Sequence, residues 1–321
     1  MLFKNYPQRL ASILKASSNK KDPLRFNVKF LDDALDGIST DDLVVLTAKT
    51  GHGKTQLASH IAMQSAAAGH RVHFFALEAH QNEIELRIRF KCLSEHFYSQ
   101  RRTRTSSELP DYQKWVLGKQ DHLLKEFEPD VDIFLNKILC NLNTFYTKKP
   151  FNAESFESHL CRIGDKTDLL VVDHLHYFDT PGSNENLEMK KTVKSIKDTL
   201  QFYRKPVILI CQLRKSDKFN TSLIPSVDDI MGSSDVAKIS TRIIVTASAK
   251  INESTKPWEF PTFIRILKNR LGGDRTRYVA LTTFNSSKNE FVDDYKLGIL
   301  TKNDTEFVEE SLYNYPWWAR K

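Results

Sequence analysis

The chain has 321 residues, 40% of them apolar and 27% charged, which is enough material to bury a full core and suits one large domain with an appendage. Lys and Arg total 47 against 40 Asp and Glu, and the resulting charge of +7 permits a polyanionic partner without requiring one. Cys92, Cys140, Cys161 and Cys211 show no short metal spacing, and no apolar run has the length of a signal core or a membrane span. A disulfide scaffold and a membrane protein are therefore excluded, and a soluble, cytoplasmic protein is expected.

Residues 1–23 read as a short helix on a tether. Leu10, Ile13 and Leu14 fall at helical spacing, and a polar stretch from Ser17 to Pro23 follows. So small a helix has no core of its own, so its apolar face must dock on this subunit or on a neighbour. Residues 24–290 read as the main domain and 291–321 as an extension with an aromatic, basic tail.

The β-branched run Leu43–Thr47 leads into Ala48-Lys49-Thr50-Gly51-His52-Gly53-Lys54-Thr55, and an Ala-rich helical stretch from Gln56 to Ala68 leaves it, closed by Gly69. Strand, loop and helix in that order form a P-loop, in which backbone N–H groups and a helix N-terminus converge on phosphates. Ala48 stands where the pattern normally opens with Gly, and is small enough to be tolerated. Ala48, Thr50, Gly51, His52, Gly53, Lys54, Thr55 and Gln56 are the expected phosphate contacts. Lys54 is placed at the β- and γ-phosphates of ATP, and the Thr55 hydroxyl at Mg²⁺.

Glu78 follows the strand Val72–Ala76, where a carboxylate can polarise an attacking water. Residues 95–150 are less regular: a basic cluster at Arg101, Arg102 and Arg104 precedes a helical reading from Asp111 to Phe127, an excursion on the rim of the sheet. Asp168-Leu169-Leu170-Val171-Val172-Asp173 is a buried-strand pattern ending in a carboxylate suited to Mg²⁺. His174 and His176 share a face at strand spacing, and such histidines are more often packed or hydrogen-bonded than metal-bound. Met189, Val193, Ile196, Leu200 and Tyr203 form one apolar helix face.

Gln212 ends the strand Val207–Cys211, in position to contact a γ-phosphate. The residues after it include Arg214, Lys215 and Lys218 among small polar side chains, a composition that grips nucleic-acid phosphates without reading bases. The segment Asp179–Glu188 is a second candidate for a DNA channel. A solvated strand end or loop is the alternative for each of these residues. Further strands are expected at Ile243–Thr246, Phe263–Leu267 and Tyr278–Thr283, giving an α/β fold with a mainly parallel central sheet flanked by helices.

Taken in order, these pieces resemble the C-terminal, RecA-like motor domain of DnaB-type replicative helicases. Phe30-Leu31-Asp32-Asp33-Ala34-Leu35-Asp36-Gly37 resembles the family's opening segment, Gly53-Lys54-Thr55 its P-loop, and Leu77-Glu78 with Arg87 its catalytic-glutamate segment. Val172-Asp173-His174-Leu175 resembles its Walker B strand, Cys211-Gln212-Leu213 its Ser-Gln-Leu motif, and Lys268-Asn269-Arg270 its Lys-x-Arg hairpin. The resemblance implies an ATP-driven, hexameric ring acting on single-stranded DNA as a helicase. It also implies that Lys268 and Arg270 reach the neighbouring subunit's γ-phosphate, with Arg275 and Arg277 as rival candidates, and that a replication protein is a partner. Two departures stand out: no N-terminal domain precedes the linker, which puts primase docking through it in doubt, and Asp228–Asp235 keeps only part of the family's acidic pattern. The competing expectation is a RecA-like nucleotide switch, a loader, regulator or defence component, that does not unwind DNA.

Overall fold

The computed structural model describes residues 6–7, 24–49, 51–100, 108–179, 185–214, 222–230, 233–249, 256–301 and 304–320. The expected helix at Leu10–Leu14, Thr50, the basic cluster at 101–104, Lys215 and Lys218 lie outside them.

Runs of aliphatic and β-branched residues set the centre of the molecule. β1 (Leu43–Ala48), β2 (Val72–Ala76), β3 (Leu142–Tyr146), β4 (Leu169–Asp173), β5 (Val207–Gln212) and β6 (Arg242–Ser248) are parallel, side by side in the order β6-β1-β5-β4-β2-β3. Every position of β1 and β4 is buried, as befits strands covered on both faces. Beyond β6 the sheet continues with antiparallel strands: β7 (Glu259–Asn269), β8 (Tyr278–Asn285) with the short β9 (Glu290–Phe291) beside it, β10 (Lys296–Leu300) and β11 (Phe307–Glu309). Sheet and flanking helices give the α/β class expected from the sequence.

The alternation of side chains along β1 divides the core in two. Val44 and Leu46 pack with α1 (Lys29–Leu35), α2 (Lys54–Ala67) and α3 (Glu83–Gln100) on one face. Leu43 and Val45 join the other face. Of the rim elements α4 (Tyr112–Val116), α5 (Asp121–Leu124) and α6 (Glu128–Ile138), each supplies apolar side chains to the first face, whereas α7 (Ala153–Ile163), α8 (Glu185–Tyr203) and α9 (Ser233–Ile239) pack on the second. Met189, Val193, Ile196 and Leu200 are buried and Tyr203 packs beside them, as their spacing predicts.

The rim departs from the expected single helix over Asp111–Phe127. Gly118 adopts φ 69°, a left-handed turn that separates α4 from α5, and Lys125–Phe127 tightens into a 3₁₀ turn. α6 and β3, which the sequence reading left irregular, follow. β3 reads Leu-Asn-Thr-Phe-Tyr, an alternating pattern too short and polar to stand out, and it takes the half-buried edge of the sheet beside β2.

The C-terminal residues fold back on the domain. Tyr315 accepts a hydrogen bond at its hydroxyl from the Leu297 N–H at 2.8 Å. Trp318 is 1% exposed, packs on Phe30 and Tyr278, and donates its indole N–H to Asp274 at 3.1 Å. Its neighbour Trp317 is 73% exposed and stacks on the Arg275 guanidinium. Trp318→Ala is expected to destabilise the protein by about 3–5 kcal/mol, the usual cost of deleting a buried aromatic, and Trp317→Ala by under about 1 kcal/mol. Urea unfolding of the two variants side by side measures the difference.

Candidate nucleotide site

Four strand ends meet at one edge of the sheet. β1, β5, β4 and β2 are neighbours, and their register sets Ala48 opposite Gln212 and Ala76 opposite Asp173. The chain leaving each carboxyl end carries the P-loop, Gln212, Asp173 and Glu78, so one crevice receives residues separated by more than a hundred positions in sequence.

The P-loop curls because Gly51 and Gly53 take φ of 80° and 79°, a region that side chains with a Cβ rarely adopt. Gly53 then caps α2, whose free N-terminal N–H groups face the crevice. His52 ties the loop to β6: its carbonyl accepts from the Thr246 hydroxyl at 3.2 Å and its Nδ1 from the Ser248 N–H at 3.1 Å. Burial, with Lys49 and Lys54 nearby, lowers the His52 pKa and keeps this acceptor free of a proton. Gln56 meets other protein groups through its side chain. Its buried amide donates to the Asn289 carbonyl at 3.4 Å and accepts from Arg87 at 3.4 Å, so only its backbone is left for a phosphate.

Asp173 is the most burdened group of the site. It is 1% exposed, and both carboxylate oxygens lie buried without a hydrogen-bond partner at normal geometry. Burial raises its pKa to about 6, with the Thr55 hydroxyl opposing, Glu78 adding to the rise, and Lys54 and Arg87 opposing. Lys54 is lowered by its own burial, against the pull of Glu78 and Asp173. An orphaned carboxylate beside a threonine hydroxyl and a lysine is a donor set that suits Mg²⁺, a hard cation seeking oxygen. Among the described residues no three His, Cys, Asp or Glu side chains form a metal site, so at this edge phosphate oxygens and water would fill the rest of the ion's shell.

His174, which the sequence reading left as packed or hydrogen-bonded, stands in the middle of this group. Its Nδ1 accepts the His176 N–H at 3.2 Å, which leaves the ring proton on Nε2. Nε2 lies 3.0 Å from Glu78 Oε2 and 2.8 Å from the Gln212 side-chain amide. Burial, with His176 and Lys54 adding to it, pushes the His174 pKa down to about 3, so the contact with Glu78 is a hydrogen bond from a neutral ring and not an ion pair. Two N–H groups cannot face each other, so the Gln212 amide meets the ring through its oxygen, a half-turn that leaves the heavy-atom positions unchanged. The signal in the sequence was the position of His174 directly after Asp173.

Lys268 and Arg270 are not part of this crevice. β6 runs parallel to β1, and Lys268 is paired with Ile243 near the amino end of β6, while the Arg270 N–H donates to the Thr241 carbonyl at 2.8 Å. Thr246 is paired with Ala48, so five strand residues, roughly 17 Å at about 3.3 Å each, separate Thr241 from the P-loop edge. Lys268 donates its ammonium to the carbonyls of Ala237 and Ser240, at 2.6 Å for the second, and so holds the C-terminal end of α9. The Lys268 ammonium is thus engaged within its own chain. Arg275 donates to the Ala34 carbonyl at 3.0 Å, whereas Arg270 is exposed. Of the expected DNA contacts only Arg214 is described, and its N–H pairs with the Asp229 carbonyl at 2.7 Å at the base of the loop.

Fold and crevice together define an α/β domain with a P-loop nucleotide site at the carboxyl edge of its parallel strands. The chain matches the family model for the DnaB-like helicase C terminal domain over residues 24–293, and it belongs to that family. It is 24% identical over 189 residues to the replicative DNA helicase DnaB of Buchnera aphidicola subsp. Baizongia pistaciae (strain Bp), a match that covers 58% of this chain and 38% of that protein's length. Its fold is similar to that of a separately solved ATPase domain, with a TM-score of 0.70 at 15% identity, covering 91% of this chain and 100% of that one. A DnaB-like replicative helicase solved for its interactions with primase aligns with a TM-score of 0.66 at 16% identity, covering 95% of this chain and 68% of the other.

The buried carboxylate sets a pH dependence. The folded pKa of Asp173, about 6, lies above its ordinary 3.8, so its contribution to stability is complete below about pH 4 and is lost as pH rises through 6. Above that window the charged form costs on the order of 3 kcal/mol. Asp173→Asn should therefore raise the stability of the nucleotide-free protein at pH 8 by up to that amount and leave it nearly unchanged at pH 4. Urea unfolding at the two pH values reads the difference.

Proposed function

We propose that this chain hydrolyses ATP with Mg²⁺ to drive movement on single-stranded DNA, as a ring-forming helicase motor of the replicative type. The observation that supports the reading best is the convergence of Lys54, Thr55, Glu78, Asp173 and the Gln212 amide at one carboxyl edge, around an unpartnered buried carboxylate. The P-loop amides, Lys54 and the N-terminus of α2 bind and orient the phosphates. Thr55 and Asp173 hold Mg²⁺, which neutralises phosphate charge when bound. Glu78, 43% exposed at its side chain, is open to a water that it can orient for attack.

Arg270 completes the reading. It sits on the edge away from its own P-loop, so it can stabilise transition-state charge only on the nucleotide of a second copy. The domain organisation follows: residues 24–290 as the motor, 1–23 as an arm that docks on a neighbouring subunit, and 291–321 as an extension of the motor. Arg214, Lys215 and Lys218 grip the DNA backbone, and a replication protein is the partner of the assembly. The cytoplasm is the compartment this reading requires.

A forked DNA substrate tests the proposal. Wild-type protein with ATP and Mg²⁺ should separate the strands, and its ATP turnover should rise with single-stranded DNA. Arg270→Ala should lower turnover by about a thousandfold, and Glu78→Gln by about a hundredfold or more. Mixing the two variants should recover turnover, because some interfaces then combine an intact Glu78 with an intact Arg270. A protein that assembles but neither unwinds nor responds to DNA would reject the helicase reading in favour of a nucleotide switch.

A further inference from the structure

His174 connects the two sides of the crevice through a continuous chain of hydrogen bonds. The Gln212 N–H points at His176 Nδ1 at 3.4 Å, the His176 N–H at His174 Nδ1 at 3.2 Å, and His174 Nε2 lies 3.0 Å from Glu78 Oε2. The Gln212 amide meets the same Nε2 at 2.8 Å. Gln212 is thus linked to the ring twice, through backbone and through side chain, while Glu78 leans on it from the opposite strand. The ring is fixed in this place: its side chain is 1% exposed and Tyr177 packs edge-on against it.

The other end of the chain is anchored to the loop that carries Arg214. Leu213 forms an isolated bridge with Ile230, and the Arg214 N–H bonds to the Asp229 carbonyl at 2.7 Å, closing the base of the loop directly after Gln212. A displacement of that loop acts on Gln212 first, and among the described side chains the imidazole joins the Gln212 amide to the Glu78 carboxylate directly. Competition sharpens the link, because Nε2 carries one proton and faces two acceptors, the Glu78 carboxylate and the Gln212 amide oxygen. When Gln212 turns toward a phosphate, the proton is left to Glu78 alone, and the carboxylate is held in one orientation.

We propose that His174 is a positioning residue that couples Gln212, and with it the loop after β5, to the orientation of Glu78. This rests on the motor reading above in one respect, that the loop responds to DNA. The coupling between Gln212 and Glu78 is independent of it.

The test compares wild type, His174→Phe, His174→Gln, Gln212→Ala and the double variant His174→Phe with Gln212→Ala. For each, ATP turnover is measured with and without oligo-dT, and affinity for a fluorescent ATP analogue by titration. His174→Phe should bind the analogue within about threefold of wild type, lower kcat about tenfold to a hundredfold at an unchanged KM, the range usual for lost supporting hydrogen bonds, and lose the stimulation by oligo-dT. His174→Gln keeps an N–H at the same reach and should recover most of both. The double variant should turn over no more slowly than the slower single variant. Wild-type kcat in His174→Phe, equal damage in the Phe and Gln variants, or strict additivity in the double variant would each overturn the coupling. If wild-type turnover ignores oligo-dT, the DNA reading fails, and the coupling still stands or falls on basal kcat and non-additivity.

Discussion

A carboxylate held in a dry strand end without a hydrogen-bond partner is the constraint around which the crevice is organised. Asp173 is carried there by Leu169-Leu170-Val171-Val172, every one of which is buried. Such a group is costly as a charge and gains little as a neutral acid, so its neighbours must be chosen to offset the burial. Lys54 and Thr55 do this from α2, Arg87 from α3, and Glu78 works against them. Because the same burial holds His174 neutral, the ring serves as a hydrogen-bond donor of fixed geometry. The electrostatics of the crevice therefore descend from one hydrophobic strand and the direction in which it ends.

Strand direction also separates the P-loop edge from the hairpin that carries Arg270. The six parallel strands bring the P-loop, Glu78, Asp173 and Gln212 to their carboxyl ends and leave the start of β6 on the other side. β7 returns antiparallel, so Asn269 faces Arg242 and Arg270 follows beside Thr241, at the amino edge. In the proposed assembly, an arginine displaced from its own P-loop by the length of a strand acts on a neighbour's nucleotide. Lys268, one residue short of the turn, donates to the carbonyls of Ala237 and Ser240, while Arg270 is exposed.

How much of this could be read in the sequence follows from how local each signal is. The P-loop and α8 were legible because a turn with φ-demanding glycines and a 3.6-residue apolar period are written in consecutive residues. β1, β4 and β5 were legible as unbroken apolar runs. β3 was not, since an edge strand needs only one covered face and its polar residues mask the pattern. Nor was the break at Gly118, where a single left-handed residue divides what periodicity reads as one helix. The side-chain partners of Gln56 and Lys268 were not legible for a different reason: Asn289 and Ala237 are brought near only by the closed sheet, and a residue's type says nothing of which distant carbonyl it will meet. His174 was visible as a residue but not as a link, because its role depends on Glu78 and Gln212 arriving from other strands.

The two edges of the sheet differ in stiffness in a way that suits their positions. At the amino edge, the turn after β7 is pinned from several sides: Trp318 donates to Asp274, Arg275 reaches the Ala34 carbonyl on α1 and stacks on Trp317, and Tyr278 packs edge-on against Trp318. These contacts bind the C-terminal residues, α1 and the hairpin into one body, so Arg270 projects from a rigid base. The carboxyl edge is joined differently. Glu78, His174 and Gln212 are linked by hydrogen bonds through a shared proton, and such bonds can exchange partners without unpacking the core beneath them. In the proposed assembly, a fixed cation on one side and a carboxylate held by exchangeable hydrogen bonds on the other would let two copies of the chain divide a single reaction between them, with the sheet as the spacer between the two edges.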